Sequence, residues 1–291
     1  MIKGNKQKRV ALMLFLPATI ILSIFYIAPA MFAIVFSFTD KTLVGANAQN
    51  WQFVGLDNYL FLFSDERFWK SLVVTILFLF GSAIFGQQIL GFTIAYLMQN
   101  KGKTVRRIVG SIVLLCWVTP EVVVSFVFYA FLNSNGTLNN FIVSLGLDPV
   151  AWLYDFALLS IIGANIWRGT AFSMLMYQSG LDNVSHEIKE AAAIDGASKF
   201  QTLFRVIIPC LKGTIVTNTV LITLSTLGLF GLIYALTGGG PSMDTTTIPI
   251  YMYNQAFRSY QIGYGTAISV ILLIFGICLS VFFVRASRHD L

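Results

Sequence analysis

Charge is what this chain most lacks. Asp, Glu, Lys and Arg make up 11% of its 291 residues, against about 25% in an ordinary soluble domain, and hydrophobic side chains reach 56%. That balance excludes a water-soluble enzyme. Histidine and cysteine are scarce as well. The two histidines, His186 and His289, stand far from any cysteine cluster, so no zinc site or Cys-His pair is expected and each reads as a surface residue. Three cysteines, Cys116, Cys210 and Cys278, are an odd number lying in or beside apolar stretches, which argues against a disulfide framework. A phosphate-binding loop is missing too. Gly102-Lys103-Thr104 has its ending, but Leu97 stands where the first glycine belongs, so backbone amides cannot cradle a phosphate there. Tandem repeats and low-complexity segments are absent. No catalytic set, metal or cofactor is expected.

The charges that do exist are arranged in blocks. None occurs in 10–39, 71–100, 213–243 or 259–284, and each gap exceeds the about 20 residues that cross a bilayer as a helix. Two further stretches hold one charge apiece, Glu121 in 108–147 and Arg168 in 156–181. The expected fold is an all-α membrane protein with six transmembrane helices near 10–38, 71–98, 107–132, 152–181, 213–236 and 263–284. Basic residues then sort by side. Lys3, Lys6, Lys8 and Arg9 precede the first helix; Lys101, Lys103, Arg106 and Arg107 join the second to the third; Lys189, Lys199, Arg205 and Lys212 join the fourth to the fifth; Arg285 and Arg288 follow the sixth. Only Lys41, Arg67, Lys70 and Arg258 fall on the other side. The positive-inside rule therefore places both termini in the cytoplasm. This divides the chain into a cytoplasmic segment 1–9, a membrane domain 10–285 and a cytoplasmic tail 286–291. The net charge of +6 is topological, and nucleic-acid binding is a poor reading of it.

The first apolar stretch follows a basic start and contains Ala28-Pro29-Ala30, yet it is too long for a signal-peptide core and reads as an uncleaved helix that Pro17 and Pro29 can kink. The outside loops are modest. Trp51 and Trp69 in 39–70 read as headgroup anchors. Thr237-Gly238-Gly239-Gly240-Pro241 can form an anion nest or simply a tight turn out of the fifth helix.

An ion within hydrocarbon costs several kcal/mol unless it meets a partner or a watery path. Glu121 lies 14 residues beyond Arg107, and Arg168 lies 14 residues before Asp182, each about 21 Å of helix from the same face. Two readings stand. They form an ion pair tying the third helix to the fourth, or they line a polar cavity and bind substrate. The fifth helix also carries Thr214, Thr217, Asn218, Thr219, Thr223, Ser225 and Thr226, which either glue helices together or replace the hydration of a hydroxyl-rich solute.

The longest cytoplasmic loop, 182–212, is the most informative segment. Glu187 to Ala197 reads as a short helix with Ser185 as N-cap, Glu187 in its positive first turn and Gly196 able to take the left-handed conformation that ends it. A second helical stretch runs to Pro209, with Phe200, Leu203, Phe204 and Ile207 spaced by three and four, and continues directly into the fifth membrane helix as a stiff connection. The alanine-rich surface is shaped to enter a partner's groove.

Glu190-Ala191-Ala192, Gly196 and, nine residues on, Val206-Ile207-Ile208-Pro209 resemble the EAA loop of bacterial ABC importer permeases. Thr237 to Pro241, Thr247, Tyr251 to Phe257, Gly263-Tyr264-Gly265, Asn135-Gly136, Asn139-Asn140 and Leu145-Gly146-Leu147 are similar to the carbohydrate-uptake, maltose-type branch, over nearly the whole chain. One departure is His186, where that family often places proline. The resemblance implies a multi-pass protein of the bacterial inner or plasma membrane, lipid-embedded, forming half of a translocation path for a sugar of di- or oligosaccharide size. Its implied partners are a second homologous permease, two ABC ATPase subunits that supply the missing ATP site, and an extracytoplasmic solute-binding protein. It assigns Glu190, Ala191, Ala192, Asp195, Gly196 and Pro209 to ATPase coupling. It assigns Asn165, Gly169, Phe172, Ile222, Ser225, Thr226 and Leu229 to the substrate path, to which the depth argument adds Glu121 and Arg168. Permeases for glycerol phosphate or another non-sugar polar solute, and less readily a secondary transporter, are the alternatives.

Overall fold

The computed structural model describes residues 14–99 and 101–288. Lys3, Lys6, Lys8 and Arg9, the segment 1–9 and His289 lie outside the described residues. Regular structure among the described residues is helical, apart from one isolated bridge between Thr39 and Phe53. In chain order the helices are α1 (Leu14–Phe36), α2 (Asp57–Ser64), α3 (Glu66–Met98), α4 (Lys103–Val118), α5 (Glu121–Leu132) and α6 (Thr137–Ser144). They continue with α7 (Ala157–Asp182), α8 (His186–Ile194), α9 (Lys199–Cys210), α10 (Lys212–Leu227), α11 (Gly231–Thr237), α12 (Ile248–Tyr253) and α13 (Ile262–Arg288). Length and apolarity mark α1, α3 and α13 as able to cross a membrane, and up to five spans if the bent pairs α4 with Glu121–Ser144 and α9 with α10 each count as one.

Two compact units divide the chain, one of Met1–Glu66 with Met252–Leu273, the other of Arg67–Tyr251 with Ile274–Leu291. In the first, α1 has a π-helical turn, Ser23–Ile27, just ahead of Pro29, where the ring removes one backbone donor. Asn58 then ties the helix exit down, its Nδ2 donating to the carbonyls of Ser37 (2.9 Å) and Thr39 (2.8 Å). Trp51 is edge-on to Phe36 at 6.1 Å and lies under the Lys41 ammonium. Gly263 is required by close approach: its N–H donates to Lys41 O at 2.8 Å, and a Cβ there would overlap the Thr39 carbonyl.

In the second unit α7 is the central element, buried on most of its circumference from Ala157 to Leu181. Small residues let α3 approach it. A Cβ at Gly91 would stand 2.8 Å from the Met174 backbone nitrogen. Lipid is as apolar as leucine, so close packing and hydrogen bonds hold these helices together more than apolar burial does. One packed cluster joins Phe78, Val124, Ile161, Leu232 and Ile233, and a second joins Met98, Met174, Tyr177, Leu181, Ile207 and Leu211. Asn139, buried beneath the segment before α7, accepts from Val150 N (3.0 Å) and Trp152 Nε1 (3.1 Å) and donates to Val150 O (2.9 Å), fixing that loop on one amide.

Four expected continuous stretches are corrected. The 152–181 span is a short helix, Trp152–Asp155, followed by α7, with Phe156 non-helical between them (φ −125°, ψ 33°). The 107–132 span is two helices, with α4 and Glu121–Ser144 bent by 101°. Pro120 lacks a donor and forces Thr119 into an extended conformation, ψ 127°. The 213–236 span stops at Leu227 and restarts at Gly231, because Gly228 is a poor helix former at the point where the chain turns. The stretch to Pro209 does not run straight into the fifth span either. α9 and α10 meet at Leu211 with a 67° bend, after a π-helical segment, Leu203–Ile207, that precedes Pro209.

Candidate functional site

Beside the middle of α7 lies a cavity of about 260 Å³. Asn165, Arg168, Gly169 and Phe172 face it from α7. Ile222, Ser225 and Thr226 of α10 and Leu229, in the break before α11, form the opposite wall. Eight of the nine residues expected in the substrate path therefore meet around one volume. Gln87, Trp117 and Leu221 complete the wall and go unmarked in the sequence reading. The signal for Gln87 was present: Gln87-Gln88 is an amide pair deep inside the charge-free stretch 71–100.

The wall is built by a hydrogen-bonded spine between α3, α7 and α10. Gln87 Nε2 donates to Asn165 O at 3.2 Å, and a Cβ at Gly169 would overlap the Gln87 amide. Asn165 Nδ2 donates to Ser82 Oγ at 2.8 Å and reaches Thr226 Oγ1 at 3.5 Å. Next to Gln87, Gln88 accepts from Asn218 Nδ2 (2.8 Å) and from the Tyr177 hydroxyl, and donates to Thr219. Asn218 Nδ2 also donates to Ser173 Oγ at 3.1 Å. Asn218 and Thr219 thus act as glue between helices, whereas Ser225 and Thr226 line the cavity. Such bonds contribute about 0.6 kcal/mol each in a membrane.

Glu121 stands outside the wall. It occupies the first turn of α5, where the helix dipole favours a carboxylate. Its Oε1 is 3.5 Å from Arg168 Nη2, and a Cβ at Gly231 would lie 2.7 Å from Oε2. The two charges are therefore paired, and Arg168 also borders the cavity. Arg168 Nε is buried without a partner among the described residues. Trp117 and Phe172 lie 5.9 Å apart at 41°, giving the cavity one aromatic flank.

The 182–212 loop has the expected caps. Ser185 Oγ accepts from Ile188 N. Gly196 is left-handed at φ 74°, with Ala197 N donating to Ala192 O (3.0 Å) and Gly196 N to Ala193 O (3.1 Å), a Schellman stop. Glu190, Ala191, Asp195, Gly196 and Pro209 are exposed. Ala192, by contrast, is buried and faces inward. The exposed face is more apolar than expected: Ile194 is 85% exposed, and the Phe200 and Phe204 rings lie 4.4 Å apart, tilted by 41°, on the outside of α9. The glycine triplet is a turn, with Gly239 O accepting from Thr246 Oγ1 and Gly240 O from Thr245 Oγ1, both at 2.7 Å.

A family model described as a binding-protein-dependent transport system inner membrane component matches residues 87–288. The trehalose/maltose transport system permease protein MalF of Thermococcus litoralis is 31% identical over 97% of this chain and 95% of its own length. The multiple sugar-binding transport system permease protein MsmF of Streptococcus mutans is 32% identical over 91% of this chain and 90% of its own. Among solved structures, a chain of a bacterial alginate ABC transporter, crystallised with an alginate pentasaccharide-bound periplasmic protein, superposes with a TM-score of 0.85 at 24% identity, covering 100% of this chain and 98% of that one.

Proposed function

This chain belongs to the binding-protein-dependent transport system inner membrane components, and from that membership we propose that it is one permease subunit of an ATP-driven importer for a sugar of di- or oligosaccharide size. It pairs with a second, homologous permease to enclose the path, takes solute from an extracytoplasmic binding protein and draws energy from two ATPase subunits. The observation that carries the reading is the convergence of Asn165, Arg168, Gly169, Phe172, Ile222, Ser225, Thr226 and Leu229 on one cavity. Hydroxyl and amide groups there replace a sugar's hydration, and the Trp117 and Phe172 rings offer an apolar face. The names of the relatives, which include trehalose, maltose and multiple-sugar systems, agree with that chemistry.

In this reading six spans cross the cell membrane with both termini cytoplasmic: α1, α3, the bent α4–α5 run, α7, the α10–α11 run and α13. α8 enters the ATPase groove, with Glu190, Ala191, Asp195 and Gly196 on its exposed side and the Phe200 and Phe204 rings widening the contact. Elbow geometry replaces the straight connection. Leu211 is fully buried at the bend beside Gly180, so packing supplies the stiffness that a continuous helix would have given. A second reading, import of glycerol phosphate or another acid-bearing polar solute, is favoured by one observation, the Arg168 guanidinium at the cavity edge.

The test is ATP-driven uptake in proteoliposomes holding the full transporter, with a panel of loaded binding proteins. Uptake of a neutral di- or oligosaccharide supports the sugar reading. Uptake confined to phosphorylated or carboxylated solutes replaces it with the second, and solute movement without ATP removes both.

A further inference from the structure

A second cavity, about 700 Å³, opens where the end of α3, the start of α4 and the end of α7 meet α8 and α9. Four cations border it, Lys101, Arg106, Lys189 and Lys199, against a single carboxylate, Asp182. That carboxylate is already taken. Arg106 Nη2 lies 3.0 Å from Asp182 Oδ2, and the Gln178 amide oxygen, turned toward it, accepts from the same guanidinium at 2.6 and 3.1 Å. Among the described residues no carboxylate lies within 4.0 Å of the ammonium of Lys101, Lys189 or Lys199. Glu187, Glu190 and Asp195, although close in sequence to Lys189, do not border the cavity.

A cation at a helix end satisfies the positive-inside rule while standing free in water. Nothing in that rule gathers three unneutralised lysines around one concavity, and like charges held together repel unless an anion joins them. The remaining wall is apolar at Leu97 and Ile207, and Leu97 is 62% exposed. A charged mouth beside an apolar flank matches a phosphate head carried on a hydrocarbon chain, and basic pockets between membrane helices on the cytoplasmic side take such heads.

We propose that this cavity binds a phosphate-bearing anion, through Lys101, Lys189 and Lys199, and that the bound anion ties α8 to the ends of α3 and α7. The shared chemistry belongs to an anionic phospholipid head and to free phosphate alike. Because Lys189 lies on α8, occupancy stiffens the helix that meets the ATPase, and this consequence rests on the importer reading given above.

The experiment uses the whole transporter in nanodiscs of phosphatidylcholine, with or without phosphatidylglycerol, and counts retained phosphatidylglycerol by native mass spectrometry. A parallel arm titrates inorganic phosphate into phosphatidylcholine discs and reads protection of Lys189 from acetylation. Retained phosphatidylglycerol with no phosphate protection assigns the lipid head; protection by phosphate assigns the free anion. Each lysine changed to Gln lowers the affinity about five-fold, and the Lys101→Arg, Lys189→Arg, Lys199→Arg triple variant restores it. Neither anion bound, or a Lys101→Gln, Lys189→Gln, Lys199→Gln variant that binds as wild type does, overturns the proposal. The importer reading fails separately, by ATP hydrolysis that ignores a loaded binding protein while the lipid count is unaffected.

Discussion

The cavity beside α7 and the loop from Asn183 to Leu211 are built on opposite plans. At and beside the cavity, polar side chains are answered across three helices: Gln87 by the Asn165 carbonyl, and Gln88, Asn165, Ser173 and Asn218 by other side chains. At the loop, the polar bonds are local, Ile188 N donating to Ser185 Oγ and Gln201 N to Ser198 Oγ, and Ile194, Phe200 and Phe204 are exposed. Substitutions in the cavity wall itself therefore disturb fold and function together. Those at the loop separate the two.

The largest effect is expected at Gly169→Leu. Its side chain must displace Gln87 and fill the cavity, so uptake falls on the order of 100-fold, while the isolated binding protein keeps its sugar affinity; normal uptake in proteoliposomes would remove this volume from the path. Next comes Gly196→Asp, which forces a side chain into left-handed backbone at about 1–2 kcal/mol. Uptake and stimulated ATP hydrolysis should drop about ten-fold or more with the melting temperature of the complex unchanged. A lowered melting temperature, or normal uptake, would break the contrast between the two regions.

Arg168→Met and Glu121→Gln separate pairing from substrate contact. If the ion pair is all that matters, the double variant is less impaired than the sum of the singles, with a coupling energy of roughly 0.5–3 kcal/mol. If Arg168 holds solute, Arg168→Met is far more impaired than Glu121→Gln, and solute protects a cysteine introduced at Ser225 from alkylation only where Arg168 is retained. Asn218→Ala leaves Gln88 and Ser173 each short of a donor and should lower stability by about 1 kcal/mol, read as detergent-melting temperature, with little change in the KM for uptake. Ser185→Ala is the smallest, about 1 kcal/mol on α8 alone, visible as faster amide exchange at Ile188 and absent from global melting.

Charge-free stretches located α1, α3 and α13 to within a few residues, because a bilayer demands an uninterrupted apolar length. The breaks were harder to read. Pro120 stands in plain sight, but a proline in a membrane helix is often tolerated as a kink, and only the 101° bend shows that it divides α4 from α5. Gly228 gave a weaker signal still. Of the cavity wall, the α7 and α10 residues followed from family resemblance and Arg168 from the cost of burying a charge. Trp117 faces the cavity only because α4 ends where it does, a fact of tertiary packing. At the loop the caps at Ser185 and Gly196 were legible from local chemistry, whereas the inward turn of Ala192 depends on what α8 rests against.

In the importer reading proposed above, the elbow at Leu211 works as a crank. At 67°, a displacement along α9 projects about two-fifths of its length onto the axis of α10 and most of it sideways. Motion entering from α8 therefore reaches Ile222, Ser225 and Thr226 chiefly as a tilt. A tilt opens one end of a wall while closing the other, which a piston stroke along the helix could not do.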